Sequence, residues 1–218
     1  MAVITISRQI GSGGLAIATR VAESLGYRLY DRQLLLDAAE YIGVRPESLE
    51  RVDEQHHGVV YSTLSTLTTL WDGPTMTEEG FQVIVSDLIR EIARTGNAVI
   101  VGRAAQCILR GYSPTFHVHV IAPFITRVER IAERNGVSLH EASAIVQESD
   151  QDRRAYNLSI GHSEWCDPAL YDLVINTDQL SVDAAAELVL TAARRSGILG
   201  AMHGSRPHQE RVAAGSRR

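Results

Sequence analysis

The stretch Ser7–Leu15, S-R-Q-I-G-S-G-G-L, constrains this chain more than any other. A short apolar run, Ala2–Ile6, leads into it, and an Ala-rich helical pattern, Leu15–Leu25, leads out. Strand, glycine-rich turn and helix, in that order, is the context in which a backbone wraps phosphate. Gly11, Gly13 and Gly14 have no Cβ, so the chain can turn sharply and approach a ligand. The N–H groups of the turn and of the helix N-terminus then face an anion. The usual loop of this kind reads G-x-x-x-x-G-K-[ST], with the Lys on the β/γ-phosphates and the hydroxyl on Mg²⁺. With Gly13 as the second Gly, Arg8 falls at the first Gly, Gly14 at the Lys and Leu15 at the Ser/Thr. The cradle is present and its two charge-handling side chains are absent. The alternative is a strand-to-helix turn that holds no ligand.

All 21 basic residues are Arg and none is Lys, so no lysine elsewhere can replace the missing one. Any fixed cation on a phosphate is therefore a guanidinium, whose fork matches two oxygens. The formal net charge of −5 argues against nucleic acid as a partner. No apolar run approaches the roughly 18 residues of a membrane span, and no secretory signal pattern opens the chain; a cytoplasmic protein is expected, with no membrane partner. Cys107 and Cys166 lack metal-like spacing and read as buried or free thiols.

Taken in order, Tyr27–Tyr30 reads as a second strand with Asp31 at its carboxyl end. Asp31 is either a ligand group or the N-cap of a helix over Arg32–Tyr41. Pro46–Gln55 looks helical, and in Val59–Leu70 the residues Leu64, Leu67 and Leu70 form a stripe suited to a mobile lobe or a homodimer contact. His56 and His57 beside Glu54 point in different directions on a helix and do not make a metal site. Thr77–Thr95 is a helix by the spacing of Phe81, Ile84, Leu88 and Ile92. Ala98–Val101 is a buried strand, with Gly102 and Arg103 at its carboxyl end. Phe116–Ile121 alternates; His117 and His119 share a face but lack a third ligand, so they read as core or edge histidines. Pro123 opens a helix to about Arg134, carrying Arg127, Arg130 and Arg134. Ser138 and Glu141 form a capping box for a helix from Leu139 to about Ala155, and Asn157–Asp167 reads as loop. Leu173–Ile175 is the last strand, and Ser181–Arg194 the closing helix, with Val182, Leu188 and Val189 inward. Residues 200–218, with 4 Arg and 1 Glu, read as a disordered tail.

Strands alternating with helices give an α/β domain with a largely parallel sheet and helices on both faces. Its crevice lies at the strand carboxyl ends. The glycine loop, Asp31, Arg103 and the loop after Ile121 gather there.

The segments V-I-T-I-S-R-Q-I-G-S-G-G, L-G-Y-R-L-Y-D-R-Q-L-L, A-V-I-V-G-R-A-A and D-L-V-I-N-T-D resemble the cytidylate-kinase-like family of P-loop nucleoside monophosphate kinases. The resemblance covers about Val3–Ala193. It implies a P-loop kinase domain over residues 1–199, with an inserted helical monophosphate-binding lobe at about 40–95 and a lid at about 150–167. It also implies transfer of the γ-phosphate of ATP, with Mg²⁺, to a nucleoside monophosphate such as CMP or dCMP. By the same resemblance, Gly11, Ser12, Gly13, Gly14 and Leu15 occupy the phosphate loop, and Asp31 and Arg103 hold the acceptor. Arg153 and Arg154 match lid arginines that meet the transferred phosphate, and Arg8, which recurs in the family motif, becomes the substitute cation. Ala104 departs from the family's G-R-D. With Leu15 in the hydroxyl position and Thr19 a turn too far along, Mg²⁺ would lean on Ser12, water and the nucleotide. Two rivals stand beside this reading: a regulatory nucleotide binder that has lost transfer, and a kinase for a different small acceptor.

Overall fold

The structure is a computed structural model that describes residues 2–31 and 78–199. Among these, five parallel strands form one sheet in the order β2-β3-β1-β4-β5: β1 (Val3–Arg8), β2 (Arg28–Tyr30), β3 (Ala98–Val101), β4 (Thr115–Ile121) and β5 (Leu173–Asn176). Central β1 is buried on both faces, Ile4 and Ile6 on one and Val3, Thr5 and Ser7 on the other, because each face is covered. Ile4 and Ile6 pack with Val99, Val101, Val118 and Val120 beneath α1 (Gly14–Leu25). Val3, Ala98 and Ile100 face the other way, onto Val85, Ile89 and Ile92 of α2 (Glu78–Thr95) and onto the short α3 (Ala105–Ile108).

Every strand carboxyl end falls on one rim, so Arg8, Asp31, Arg103, Ala122 and Thr177 come together from distant parts of the sequence. Two helices rise over that rim, α4 (Phe124–Asn135) and α5 (Leu139–Gly161). They pack through Val128, Ile131, Ala142 and Val146. The Ser138–Glu141 capping box starts α5 as expected, with both reciprocal hydrogen bonds made. The last helix, α6 (Val182–Arg195), lies against α1.

Two expectations are corrected. Helix α5 continues past Ala155 to Gly161, so Asn157–Gly161 is helix and not loop. Tertiary contact carries it on: the buried Asn157 Oδ1 accepts from Gln106 Nε2 at 2.6 Å, and Gly161 sits where a Cβ would lie 2.5 Å from Cys107 Sγ. In α6, Leu188 is 48 % exposed, and the inward face is Ala185, Ala186, Val189, Leu190 and Ala193. The short α3 is not among the expected elements; the other helices and strands in the described residues fall within two residues of their expected ends. The helix at Arg32–Tyr41, the helix at Pro46–Gln55, His56, His57, the Leu64/Leu67/Leu70 stripe with its homodimer contact, and the 200–218 tail lie outside the described residues, as does most of the 40–95 lobe.

Candidate active site

The glycine loop is shaped by its carbonyls. Gly11 and Gly13 adopt left-handed φ values of 77° and 78°, a region that favours glycine. A Cβ on Gly11 would stand 2.8 Å from the Arg127 carbonyl, so the loop lies directly on the first turn of α4. Arg130 donates to the Gly11 carbonyl at 3.2 Å and to the Thr177 carbonyl at 2.8 Å. The Thr177 hydroxyl donates to the Ser12 carbonyl at 2.8 Å, and Gln9 Oε1 accepts from Ala122 N at 3.1 Å. In a trans peptide the C=O and N–H point opposite ways. Fixing the Ser12 carbonyl on Thr177 therefore turns the Gly13 N–H away from Thr177. The first N–H groups of α1, at Gly14 and Leu15, have no intrahelical acceptor. Phosphate oxygens are the natural acceptors for such an array. A cavity of about 1120 Å³ runs along this loop, with Arg130, Arg134, Leu180 and Val182 on its far side.

Among the described residues, the two hydroxyls nearest the expected Mg²⁺ position, Ser12 and Thr19, are bonded to backbone carbonyls. Ser12 is fully buried and donates to the Gln9 carbonyl at 2.8 Å, and Thr19 donates to Leu15 O at 3.1 Å. Leu15 offers only an exposed apolar side chain. Among the described residues no group of three His, Cys, Asp or Glu is arranged for a metal, and this includes His117 and His119. His117 Nδ1 is instead 2.7 Å from the Thr5 hydroxyl, and His119 is buried against Trp165 and Tyr171. Among the described residues, the donor set at the loop does not fit a protein-held Mg²⁺.

A second cavity, of about 400 Å³, adjoins the first. Arg8, Arg103, Arg153, Asp31, Asp152 and Trp165 are among its walls. Arg8 pairs with Asp31 at 3.3 Å. Burial pushes the Arg8 guanidinium below its usual range; Asp31 opposes that and Arg103 adds to it. Arg103 follows Gly102 in a run of left-handed residues, with φ of 77°, 57° and 52° at Gly102, Arg103 and Ala104. Such conformations cost energy in non-glycine residues and collect where a side chain is held for a ligand. Arg153, on α5, donates to the Ser149 carbonyl at 3.0 Å and to its hydroxyl. Burial, and next Arg8, bring its pKa down to about 10. Three guanidinium groups thus face one small space with Asp31 and Asp152 as carboxylate partners, an arrangement that an incoming anion would relieve.

The structure brings together Arg8, the loop Gly11–Leu15, Asp31, Arg103 and Arg153. Arg154 is set apart: its side chain is half exposed, 3.9 Å from Glu164, and lines neither cavity. Arg130, Trp165 and Thr177 were not singled out from sequence as site residues. The signal for Arg130 is the spacing of Arg127, Arg130 and Arg134 on neighbouring turns just after a strand, and that for Thr177 is its place in D-L-V-I-N-T-D; Trp165 has none beyond its neighbourhood.

Comparison with known proteins gives the family and the fold. The sequence profile of the cytidylate kinase-like family matches residues 3–179. The chain is 27 % identical over 190 residues to a cytidylate kinase of Thermoplasma volcanium, covering 86 % of this chain and 88 % of that protein. It is 29 % identical to one of Pyrobaculum aerophilum, covering 87 % and 91 %. Among solved structures, a protein of Eubacterium ventriosum superposes with a TM-score of 0.63 at 24 % identity, covering 88 % of this chain and 97 % of that one. A shikimate kinase of Bacteroides thetaiotaomicron superposes at 0.53 with 14 % identity, covering 88 % and 98 %. At these identities the structural likeness is one of fold.

Proposed function

The chain belongs to the cytidylate kinase-like family, and on that premise we propose that it transfers the γ-phosphoryl group of ATP to a small acceptor bearing an anionic group. The observation that carries this reading is that Arg8 and Arg153 line both cavities. The glycine loop takes the donor phosphates and the smaller cavity takes the acceptor, so the group in transit passes between two fixed guanidiniums. Phosphoryl transfer asks for alignment and charge stabilisation more than for covalent chemistry. Arg103 and Asp31 hold the acceptor side, and Arg153 faces the transferred group from α5. Mg²⁺ enters with the nucleotide, liganded by phosphate oxygens and water, as is common for this ion.

The names of the relatives make CMP the first acceptor to test, with dCMP beside it. A different anionic acceptor is the second reading, and one observation favours it. Gln106 and Asn157, the amides in the cavity wall suited to reading a base edge, are bonded to each other. Gln106 Nε2 and Asn157 Oδ1 are thereby engaged with each other, so the described wall offers an anion three guanidinium groups and a base few free amide partners. The deciding experiment is ADP release from ATP and Mg²⁺ against nucleoside monophosphates and small hydroxy acids, beside thermal-shift titrations of the same compounds. Turnover on a monophosphate establishes the first reading, and turnover on a hydroxy acid alone the second. Thermal stabilisation by ATP with no turnover on any acceptor replaces both with a regulatory binder.

A further inference from the structure

The register of the glycine loop places Arg8 where the usual motif has its first Gly, and Gly14 where it has its Lys. The structure explains why these two departures occur together. A Cβ on Gly14 would overlap the Arg8 Cβ and lie 3.0 Å from its Cγ, with Val120 Cβ behind it at 3.4 Å. Only one of positions 8 and 14 can carry a side chain in this backbone. From position 8 the chain runs on to the carboxyl end of β3, where a Cβ on Gly102 would overlap the Arg8 Nη1. Asp31 then takes the guanidinium at 3.3 Å. Gly14 and Gly102 thus clear the path of one side chain, and Asp31 anchors its end.

We propose that the ends of the phosphate-loop motif have been exchanged in this protein. The cation that normally rises from the start of the helix comes instead from the end of β1, Gly14 is glycine because Arg8 is there, and Asp31 is the positioning residue that holds Arg8 between the two cavities. This rests on the kinase reading only for the last step, the use of the cation on a transferred phosphate. The steric exclusion of one side chain by the other is independent of any activity.

Two measurements on the full chain test it. The first is a thermal-denaturation cycle on the unliganded protein with Gly14→Ala, Arg8→Gly and the double variant. Gly14→Ala is expected to lower Tm by roughly 5 °C when Arg8 is present, an overpacking penalty, and to have little effect or raise Tm in the Arg8→Gly background. An equal loss in both backgrounds overturns the exclusion. The second is calorimetric binding of inorganic tripolyphosphate and of ATP with Mg²⁺. Arg8→Gly is expected to weaken tripolyphosphate roughly ten- to hundredfold, the loss of a charge-assisted contact. Adding Gly14→Lys to Arg8→Gly, which recreates the usual order, is expected to recover at least tenfold. Asp31→Asn should weaken tripolyphosphate less than Arg8→Gly does, because the guanidinium is retained. If the Arg8→Gly/Gly14→Lys protein binds no better than Arg8→Gly alone, or if the unmutated protein does not bind tripolyphosphate, the cation exchange is wrong. Failure of the kinase reading looks different: both binding and the stability cycle behave as expected while no acceptor is turned over.

Discussion

Arg127 and Asp150 form a two-pronged ion pair, Nη1 to Oδ1 at 3.0 Å and Nη2 to Oδ2 at 2.8 Å. Arg127 is 4 % exposed, and its Nε also donates to the Ala122 carbonyl at 3.1 Å. The pair ties α4, on which the glycine loop rests, to α5, which carries Arg153 one turn beyond Asp150. It therefore sets the distance between the glycine loop and Arg153, which line one cavity.

Breaking this pair should cost both stability and alignment. Removing one partner strands a buried charge, which costs about 3–5 kcal/mol. Asp150→Ala is expected to lower Tm by roughly 10 °C and, at a temperature where it is still folded, to reduce kcat more than it raises the KM for ATP. Arg127→Met combined with Asp150→Leu should recover most of the Tm but not kcat. Recovery of both would show that the pair is structural alone.

Arg153 and its sequence neighbour Arg154 separate the site from its surroundings. Arg153 is half-buried and lines both cavities; Arg154 is exposed beside Glu164 and lines neither. Arg153→Ala is expected to lower kcat by roughly 10³-fold or more, the scale of an arginine acting on a transferred phosphoryl group, with ATP binding little changed by calorimetry. Arg154→Ala should stay within a few-fold of the parent, since an exposed ion pair contributes at most about 1 kcal/mol. Equal losses in the two variants would mean that both arginines act on the group in transit.

How far this site could be read from sequence follows from what each residue contacts. The glycine loop, Asp31 and Arg103 each stand at a strand carboxyl end, and strands announce themselves through apolar runs, so the rim was legible. Arg8 was legible as a cation but its relation to Gly14 was not, because a Cβ overlap across the loop leaves no mark in the spacing of residues. Arg153 and Arg154 are indistinguishable as a D-R-R run; only the rotation of α5 about its axis separates them. That helix also hid its length. Its last turn is held by Gln106 and Cys107 from another part of the chain, and local propensity carries no trace of such contacts. Arg130 and Thr177 act by gripping backbone carbonyls of the loop, a role any nearby donor could take.

Trp165 joins the segment after α5 to the root of the glycine loop. It is buried, donates from Nε1 to the Ser7 hydroxyl at 2.8 Å, and lines the smaller cavity, where the proposed acceptor sits. Tyr171 secures it by donating to the Trp165 carbonyl at 2.7 Å. Trp165→Phe keeps most of the packing and loses the hydrogen bond, leaving Ser7 one step from Arg8 without that donor. We expect a loss of about 1–2 kcal/mol in chemical denaturation and a rise in the KM of the acceptor that exceeds any rise for ATP. The reverse order would place Trp165 on the donor side.

His119 supplies an acid limit to stability. It is 2 % exposed, stacked on Tyr171 at 4.6 Å between ring centroids and edge-on to Trp165 at 5.4 Å. Burial pushes its pKa from 6.5 down to about 4. Above the unfolded value both states hold a neutral ring, and the stability is fully present. Between that value and about 4 the unfolded chain takes up a proton that the folded chain refuses, so stability falls with pH by up to about 1.4 kcal/mol per unit. Below about 4 both states are protonated and the loss levels off near 3 kcal/mol. Burial also lowers His117, with the same sign, and the depressed carboxylates of Glu141 and Asp178 lose their contribution on further acidification. All three groups remain in a His119→Phe variant, so the difference between the two proteins isolates His119. Phe preserves the ring stack and cannot titrate. Urea denaturation of both proteins at pH 7.5 and pH 5 is expected to show a smaller pH-dependent loss for the variant, by about 2 kcal/mol. Equal losses would mean that the ring is already protonated in the folded chain at pH 5, or is reached by water there, and that the packing of Trp165 and Tyr171 around it does not exclude the charged form.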